Sequence, residues 1–148
     1  MTAAELVQKH EGCRLVPYTD TPGHVTVGWG HNCDAMPLDP SLYLPDGSIT
    51  QETADSVFSD DLVRATVPLI NNCTPWYQSL GPVRQAVLQD LSFNMGWPTL
   101  STFKTFLGCV SAGNYQAAAD DLLGTLWARQ VGIRATEDAA LMASGAWV

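Results

Sequence analysis

Apolar positions recur at three- to four-residue intervals over most of the chain, and between residues 15 and 29 the interval shortens to two. Ala3, Leu6, Val7 and His10 keep helical spacing behind Thr2-Ala3-Ala4-Glu5. That tetrapeptide is a capping-box signature in which Thr2 caps and Glu5 reaches back, and Gly12 offers the stop. Leu15 to Thr19 has strand character, Thr21-Pro22-Gly23 suits a type II turn, and His24 to Trp29 is predicted to return as a second strand. Alternation then puts Val25, Val27 and Trp29 on one face and His24, Thr26, Gly28 and Gly30 on the other. Asp20 begins the bend on that open side, where the two glycines leave room for another backbone or a ligand.

Pro37, Pro40, Pro45 and the turn Pro45-Asp46-Gly47 predict irregular chain from residue 32 to 48, with room for a short strand. Thr50 then reads as a helix cap. Ala54, Val57, Phe58, Asp61, Leu62 and Ala65 form one stripe, expected to end or kink at Pro68. Residues 74 to 148 read as helical. Pro82 suits a first helical position, and Val83, Ala86, Val87, Leu88, Leu91, Phe93 and Met95 mark a buried central helix ending at Gly96. Phe103, Phe106, Leu107 and Val110 give another apolar face, Asn114 caps a further helix, and a last helix follows Arg134 with Gly145 as its stop. The expected fold class is α+β and mostly helical. A small N-terminal lobe with a β-hairpin occupies residues 1–49, a connecting helix 50–70 and an all-helical lobe 71–148, with the first helix free to pack against the last of these and a cleft between the lobes.

Composition narrows the function classes. The 148 residues are 46% hydrophobic and 15% charged, enough apolar material for one ordinary core or two small lobes. Seven basic residues against fifteen acidic give a net charge of −8, which disfavours nucleic acid and anionic membrane as partners. No apolar run is long enough to span a membrane, and the capped opening helix lacks the pattern of a signal peptide. Cys13, Cys33, Cys73 and Cys109 are widely spaced without CxxC grouping, so free thiols are favoured over disulfides and zinc. His10, His24 and His31 show no metal-ligand spacing, so no metal or cofactor is expected and a zinc amidase is disfavoured.

Two carboxylates carry the candidate chemistry. Glu11 falls in the last turn of the first helix, where unpaired carbonyls favour a protonated acid, and Asp20 stands at the hairpin bend. Two carboxyl groups in unlike surroundings on a rigid support are what glycoside hydrolysis requires. Each has a plain alternative, a solvated glutamate at a helix end and a turn-forming aspartate. Asp61 lies on an otherwise apolar face and needs a partner, for which His31 is the candidate. Trp29, Trp76, Trp97, Trp127 and Trp147 could stack on sugars, although core packing is the simpler assignment for each.

Glu11, Asp20 and Thr26 sit within E-G-C-R-L-V-P-Y-T-D-T-P-G-H-V-T-V-G-W-G-H, residues 11–31. This stretch resembles the T-even-like, phage-type lysozymes of glycoside hydrolase family 24. Residues 49–62, F-N-M-G at 93–96, N-Y-Q-A-A-A at 114–119, Trp127, Arg134 and S-G-A-W at 144–147 follow in the family's order. The resemblance implies a lysozyme-like fold and hydrolysis, with inversion, of the β-1,4 bond between N-acetylmuramic acid and N-acetylglucosamine in bacterial peptidoglycan. It implies Glu11 as general acid, Asp20 as the carboxylate that positions water, and Thr26 as the residue holding that water. Arg134 matches an arginine approaching the catalytic glutamate, and His31 and Asp61 match a structural pair. Gly30, Asn32, Phe93 and Asp121 fall at expected substrate contacts, as does Phe106, although Phe106 and Asp121 differ in type from the family's usual residues.

The best-known members are basic, unlike this acidic chain. The reading that follows is a monomeric endolysin acting on peptidoglycan glycan strands, made in the host bacterial cytoplasm and released to the wall by another protein. The rival readings are a secreted antibacterial toxin of the same family and a catalytically silent glycan-binding module on the same fold.

Overall fold

Thr2 opens the first helix. Its hydroxyl accepts the Glu5 N–H at 3.2 Å, and α1 runs Ala3–Glu11 with Leu6 and Val7 buried. The structure, a computed structural model, describes residues 1–147 and divides into two compact units. One is Gln8–Arg64; the other joins Met1–Val7 to the chain from Ala65 onward.

Within the smaller unit, β1 (Arg14–Thr19), β2 (Val25–Gly28) and β3 (His31–Asn32) form an antiparallel sheet in that order. Thr19 lies opposite Val25 and Tyr18 opposite Thr26, after which β1 bulges before Arg14 meets Gly28. The return strand is shorter than the alternation predicted. Gly28 and Gly30 both adopt positive φ (+65° and +71°), so β2 stops at Gly28 and the chain turns through Trp29 and Gly30 into β3. Val27, Ile49 and Ala54 form the small core, with Cys13, Leu15, Trp29, Cys33, Leu38 and Tyr43 packed around it. Val25, expected on the same face as Val27, is 40% exposed. Beyond β3 the chain is irregular apart from a single 3-10 turn at Pro40–Leu42.

Helix α2 (Gln51–Asn72) begins where Thr50 accepts the Thr53 N–H at 3.1 Å. It does not end at Pro68. Proline removes one ladder hydrogen bond, while Leu69 and Cys73 beyond it are buried in the helical unit's core and Asn72 Nδ2 donates to the Pro68 carbonyl.

The helical unit contains α3 (Trp76–Ser79), α4 (Pro82–Leu100), α5 (Lys104–Ser111), α6 (Tyr115–Leu123), α7 (Leu126–Val131) and α8 (Ile133–Ser144). Its core is drawn from all six, with Leu6 and the end of α2. Helix α4 breaks at Gly96, whose φ of 76° and ψ of 155° lie outside the helical region. Left-handed Gly145 stops α8. The short helices α3 and α7 were not foreseen. Cys13, Cys33, Cys73 and Cys109 are free thiols, and among the described residues no helix is long and apolar enough to cross a membrane.

Candidate active site

The small unit gathers the chemistry-bearing residues. Glu11 ends α1, and its side chain lies directly against the Cα of Gly30. A Cβ built on that glycine would fall 2.3 Å from Glu11 Oε2 and 2.7 Å from Cδ. The room that Gly30 leaves is therefore filled by the carboxyl group of Glu11, and the room at Gly28 by Ala54, 3.4 Å from a Cβ built there. Gly30, expected among the substrate contacts, is the surface on which the candidate acid rests.

Asp20 closes the β1–β2 turn. Its N–H donates to the His24 carbonyl (2.9 Å), its carbonyl accepts from Gly23 (2.9 Å), and its Oδ1 accepts the His24 N–H at 2.7 Å. The second oxygen is 3.7 Å from His24 Nδ1. This turn chemistry fixes where the carboxyl points. Thr26 is buried opposite Tyr18, and its hydroxyl donates to the His24 carbonyl at 3.1 Å, leaving the oxygen's lone pairs to accept a further donor.

Tyr18 is the site residue that residue-by-residue reading missed. Burial is the largest influence raising its phenol pKa, followed by the charge of Glu11; Arg14 opposes and Asp20 adds. Both candidate carboxylates thus act on one phenol, while the Arg14 guanidinium lies over the same ring at 4.2 Å. The tyrosine stands in the 11–31 motif, and its strand position opposite Thr26 was the available signal.

The turn between β2 and β3 is held by α2. His31 Nδ1 is 2.7 Å from Asp61 Oδ2, and Nε2 is 2.7 Å from the Met36 carbonyl. Both ring nitrogens face acceptors, so the doubly protonated ring satisfies both. The hydrogen bond to Asp61 is the main cause of the raised His31 pKa; burial opposes it. Asp61 also accepts Arg64 at 2.9 Å. Trp29 Nε1 donates to Asp55 Oδ1 at 2.8 Å. Asn32 spends its side-chain oxygen on the Asp34 and Ala35 N–H groups, at 2.9 and 3.0 Å. Among the described residues of this unit, no three His, Cys, Asp or Glu side chains converge at metal-binding distances.

The remaining candidates lie in the helical unit. Phe93 is half-buried on α4 and Asp121 half-buried on α6. Phe106 is fully buried in the helical core, which corrects its assignment as a glycan contact, because α5 turns that face inward. Arg134 is 9% exposed and makes a two-pronged pair with buried Asp90, Nε to Oδ2 and a terminal nitrogen to Oδ1, each at 2.9 Å. It is no surface arginine. Neither Asp90 nor the equally buried Asp138 on α8 was singled out from the sequence. Trp127 Nε1 donates to Asn94 Oδ1 at 2.7 Å, and the indole is part of the core.

Comparison with known proteins places the chain in a family. The phage lysozyme family model matches residues 8–140. The pre-baseplate central spike protein of Enterobacteria phage T4 is 28% identical, over 98% of this chain and 28% of its own length. A probable T4-type lysozyme of Dictyostelium discoideum is 24% identical over 95% of the chain and 93% of its own length. An endolysin of Acyrthosiphon pisum secondary endosymbiont phage 1 is 29% identical over 80% of the chain and 73% of its own length. The chain thus spans little more than a quarter of the spike protein but most of the other two. With a match running from α1 into α8, the chain belongs to the phage lysozyme family.

Proposed function

We propose that this chain is a peptidoglycan hydrolase of the lysozyme type, cleaving the β-1,4 bond between N-acetylmuramic acid and N-acetylglucosamine with inversion. Glu11 gives its proton to the glycosidic oxygen as the C1–O bond breaks. A water held by Thr26 attacks C1 from the opposite face, and Asp20 takes the water's proton while its charge steadies the positive sugar carbon. Proton exchange with solvent restores both groups. Inversion requires about 6.5–9.5 Å between the two carboxyls so that water fits between them.

The observation that carries this reading is the seating of Glu11. An acid whose side chain is pressed onto a glycine turn has one defined position, unlike the solvated helix-end glutamate that was its alternative. The turn-locked Asp20 and the phenol influenced by both carboxyls support the same pairing. They also favour a working enzyme over a silent glycan-binding module.

As an endolysin the protein acts as a monomer, gathers in the host bacterial cytoplasm and meets the wall after another protein opens the inner membrane. A second reading, in which the same hydrolase unit works as part of a larger particle-borne protein, is favoured by the match to the phage spike protein. The apparent mass of the native product in its source separates the two.

The chemistry is tested with Glu11→Gln. It is expected to fold and bind purified peptidoglycan yet release no new reducing ends. Turnover above about one per cent of wild type would remove Glu11 as the acid, since losing a general acid should cost about 100-fold or more. Proton NMR of fresh product is expected to show the α anomer first; the β anomer would reject inversion.

A further inference from the structure

The Gly28–Gly30 turn is fastened along one face of α2. Gly28 packs on Ala54, the Trp29 ring lies tilted against Phe58 with centroids 6.2 Å apart, and His31 meets Asp61. Positions 54, 58 and 61 follow the helical repeat, so a single face of α2 receives the turn. Asp55 stands beside this face and is exposed. An exposed carboxylate normally has no reason to keep one orientation. Here two N–H donors, Trp29 Nε1 and Gln51 Nε2, converge on the same Asp55 Oδ1, each at 2.8 Å. Trp29 lies between two glycines in left-handed conformation, and the second of them carries the Glu11 side chain. Rotation of the indole would be transmitted through one peptide unit to the surface that supports the carboxyl.

We propose that Asp55 is a positioning residue for the proton donor, holding the Trp29 indole and through it the Gly30 surface on which Glu11 rests. The inference rests on Glu11 being the acid. What Asp55 supplies is an acceptor oxygen at a fixed place; its charge is secondary, and it touches neither substrate nor the reacting atoms. Asparagine keeps that oxygen and alanine does not.

The test compares Asp55→Ala, Asp55→Asn, Trp29→Phe and the Ala/Phe double variant on soluble peptidoglycan fragments, well below each variant's melting temperature. Asp55→Ala is expected to lower kcat about ten-fold with KM within two-fold, the signature of a group that keeps its chemistry and loses alignment. Asp55→Asn is expected within about three-fold of wild type. Trp29→Phe should match Asp55→Ala, and the double variant should be no worse than either single one. A merely structural role would lower melting temperature in proportion to activity loss and would not produce the kcat-against-KM split. Asp55→Ala with wild-type kcat, failure of asparagine to rescue, or additive losses in the double variant would each overturn the proposal. If those results arise while Glu11→Gln is inactive, only the positioning role falls. Substantial turnover by Glu11→Gln overturns the acid assignment and this inference with it.

Discussion

Among the described residues, the unit Gln8–Arg64 is built on four buried apolar side chains, Val27, Ile49, Ala54 and Phe58, whereas the helical unit packs twenty-four. The small unit compensates with directional contacts: Asp20 on the His24 N–H, Asn32 on two backbone N–H groups, Asp55 on Trp29 and Asp61 on His31. Its polar groups lie where backbone or another side chain meets them, and they fix angles that so small a core cannot. The helical unit does the reverse. Its larger core encloses Asp90, Asp138 and Arg134. Polar bonds position chemistry in one unit; in the other, a carboxyl is enclosed where its charge is disfavoured.

The largest effect should come from disturbing the most crowded contact in the small unit. Gly30→Ala places a Cβ 2.3 Å from Glu11 Oε2 at a φ of +71°. Glu11 must leave its seat, and kcat is expected to fall about 100-fold, or about 3 kcal/mol of activation free energy. Gly47→Ala is the control, with φ +85° and nothing within 4 Å of the added carbon. It should show the conformational cost of about 1 kcal/mol in denaturant melts and keep its rate. Equal kcat values for the two variants would mean that the contact with Gly30 does not hold the acid.

A smaller effect follows from His31. Its pKa is raised chiefly by Asp61, so the folded state binds the proton more tightly than the unfolded chain. This contribution is fully present below about pH 6.5 and is lost as pH rises through the folded value. Asp61→Asn is expected to cost about 2 kcal/mol at pH 5.5, the scale of a hydrogen bond to a charged group, and clearly less at pH 9. Urea melts at the two pH values measure the difference. A loss independent of pH would show that the imidazolium is not what Asp61 stabilises.

The sequence disclosed the features that depend on neighbours along the chain. Thr2 and Thr50 cap, Gly96 and Gly145 interrupt, and Pro82 opens α4, because turn and cap chemistry is local. It left open or misjudged features decided by tertiary packing. Helix α2 passes Pro68 because buried Leu69 and Cys73 outweigh one missing hydrogen bond. The strand from His24 stops early because Gly28 and Gly30, which fit the two-residue alternation, take positive φ to receive Ala54 and Glu11. In the candidate site, Glu11, Asp20 and Thr26 were legible through a dense motif, whereas Trp29–Asp55 joins residues 26 apart and carries no periodic mark. Asp90 could have been found. It falls four residues after Ala86 and three after Val87 on α4, the same kind of carboxylate on an apolar face that drew attention to Asp61.

The smallest effect tests the helical unit and has the opposite sign. Asp138 is fully buried, and among the described residues no donor reaches either of its oxygens. Burial pushes its pKa well up, and neighbouring Asp90 pushes it further, against the opposing charge of Arg134. A hydrogen bond between the two carboxyls requires Asp138 to keep its own proton and donate it to Asp90, whose oxygens are already drawn toward Arg134. The folded protein therefore holds a proton that the unfolded chain releases near pH 4, and stability declines as pH rises from there through the raised folded value. An asparagine side chain in its place would donate an N–H instead of that proton and would not titrate. Asp138→Asn is accordingly expected to match wild type near pH 4 and to be more stable by about 1 kcal/mol at pH 8. Thermal melts across this range read the divergence directly. A destabilised variant at pH 8 would mean that ionised Asp138 is matched by positive charge in the fold, and the contrast between a unit that uses its polar groups and one that tolerates them would no longer hold.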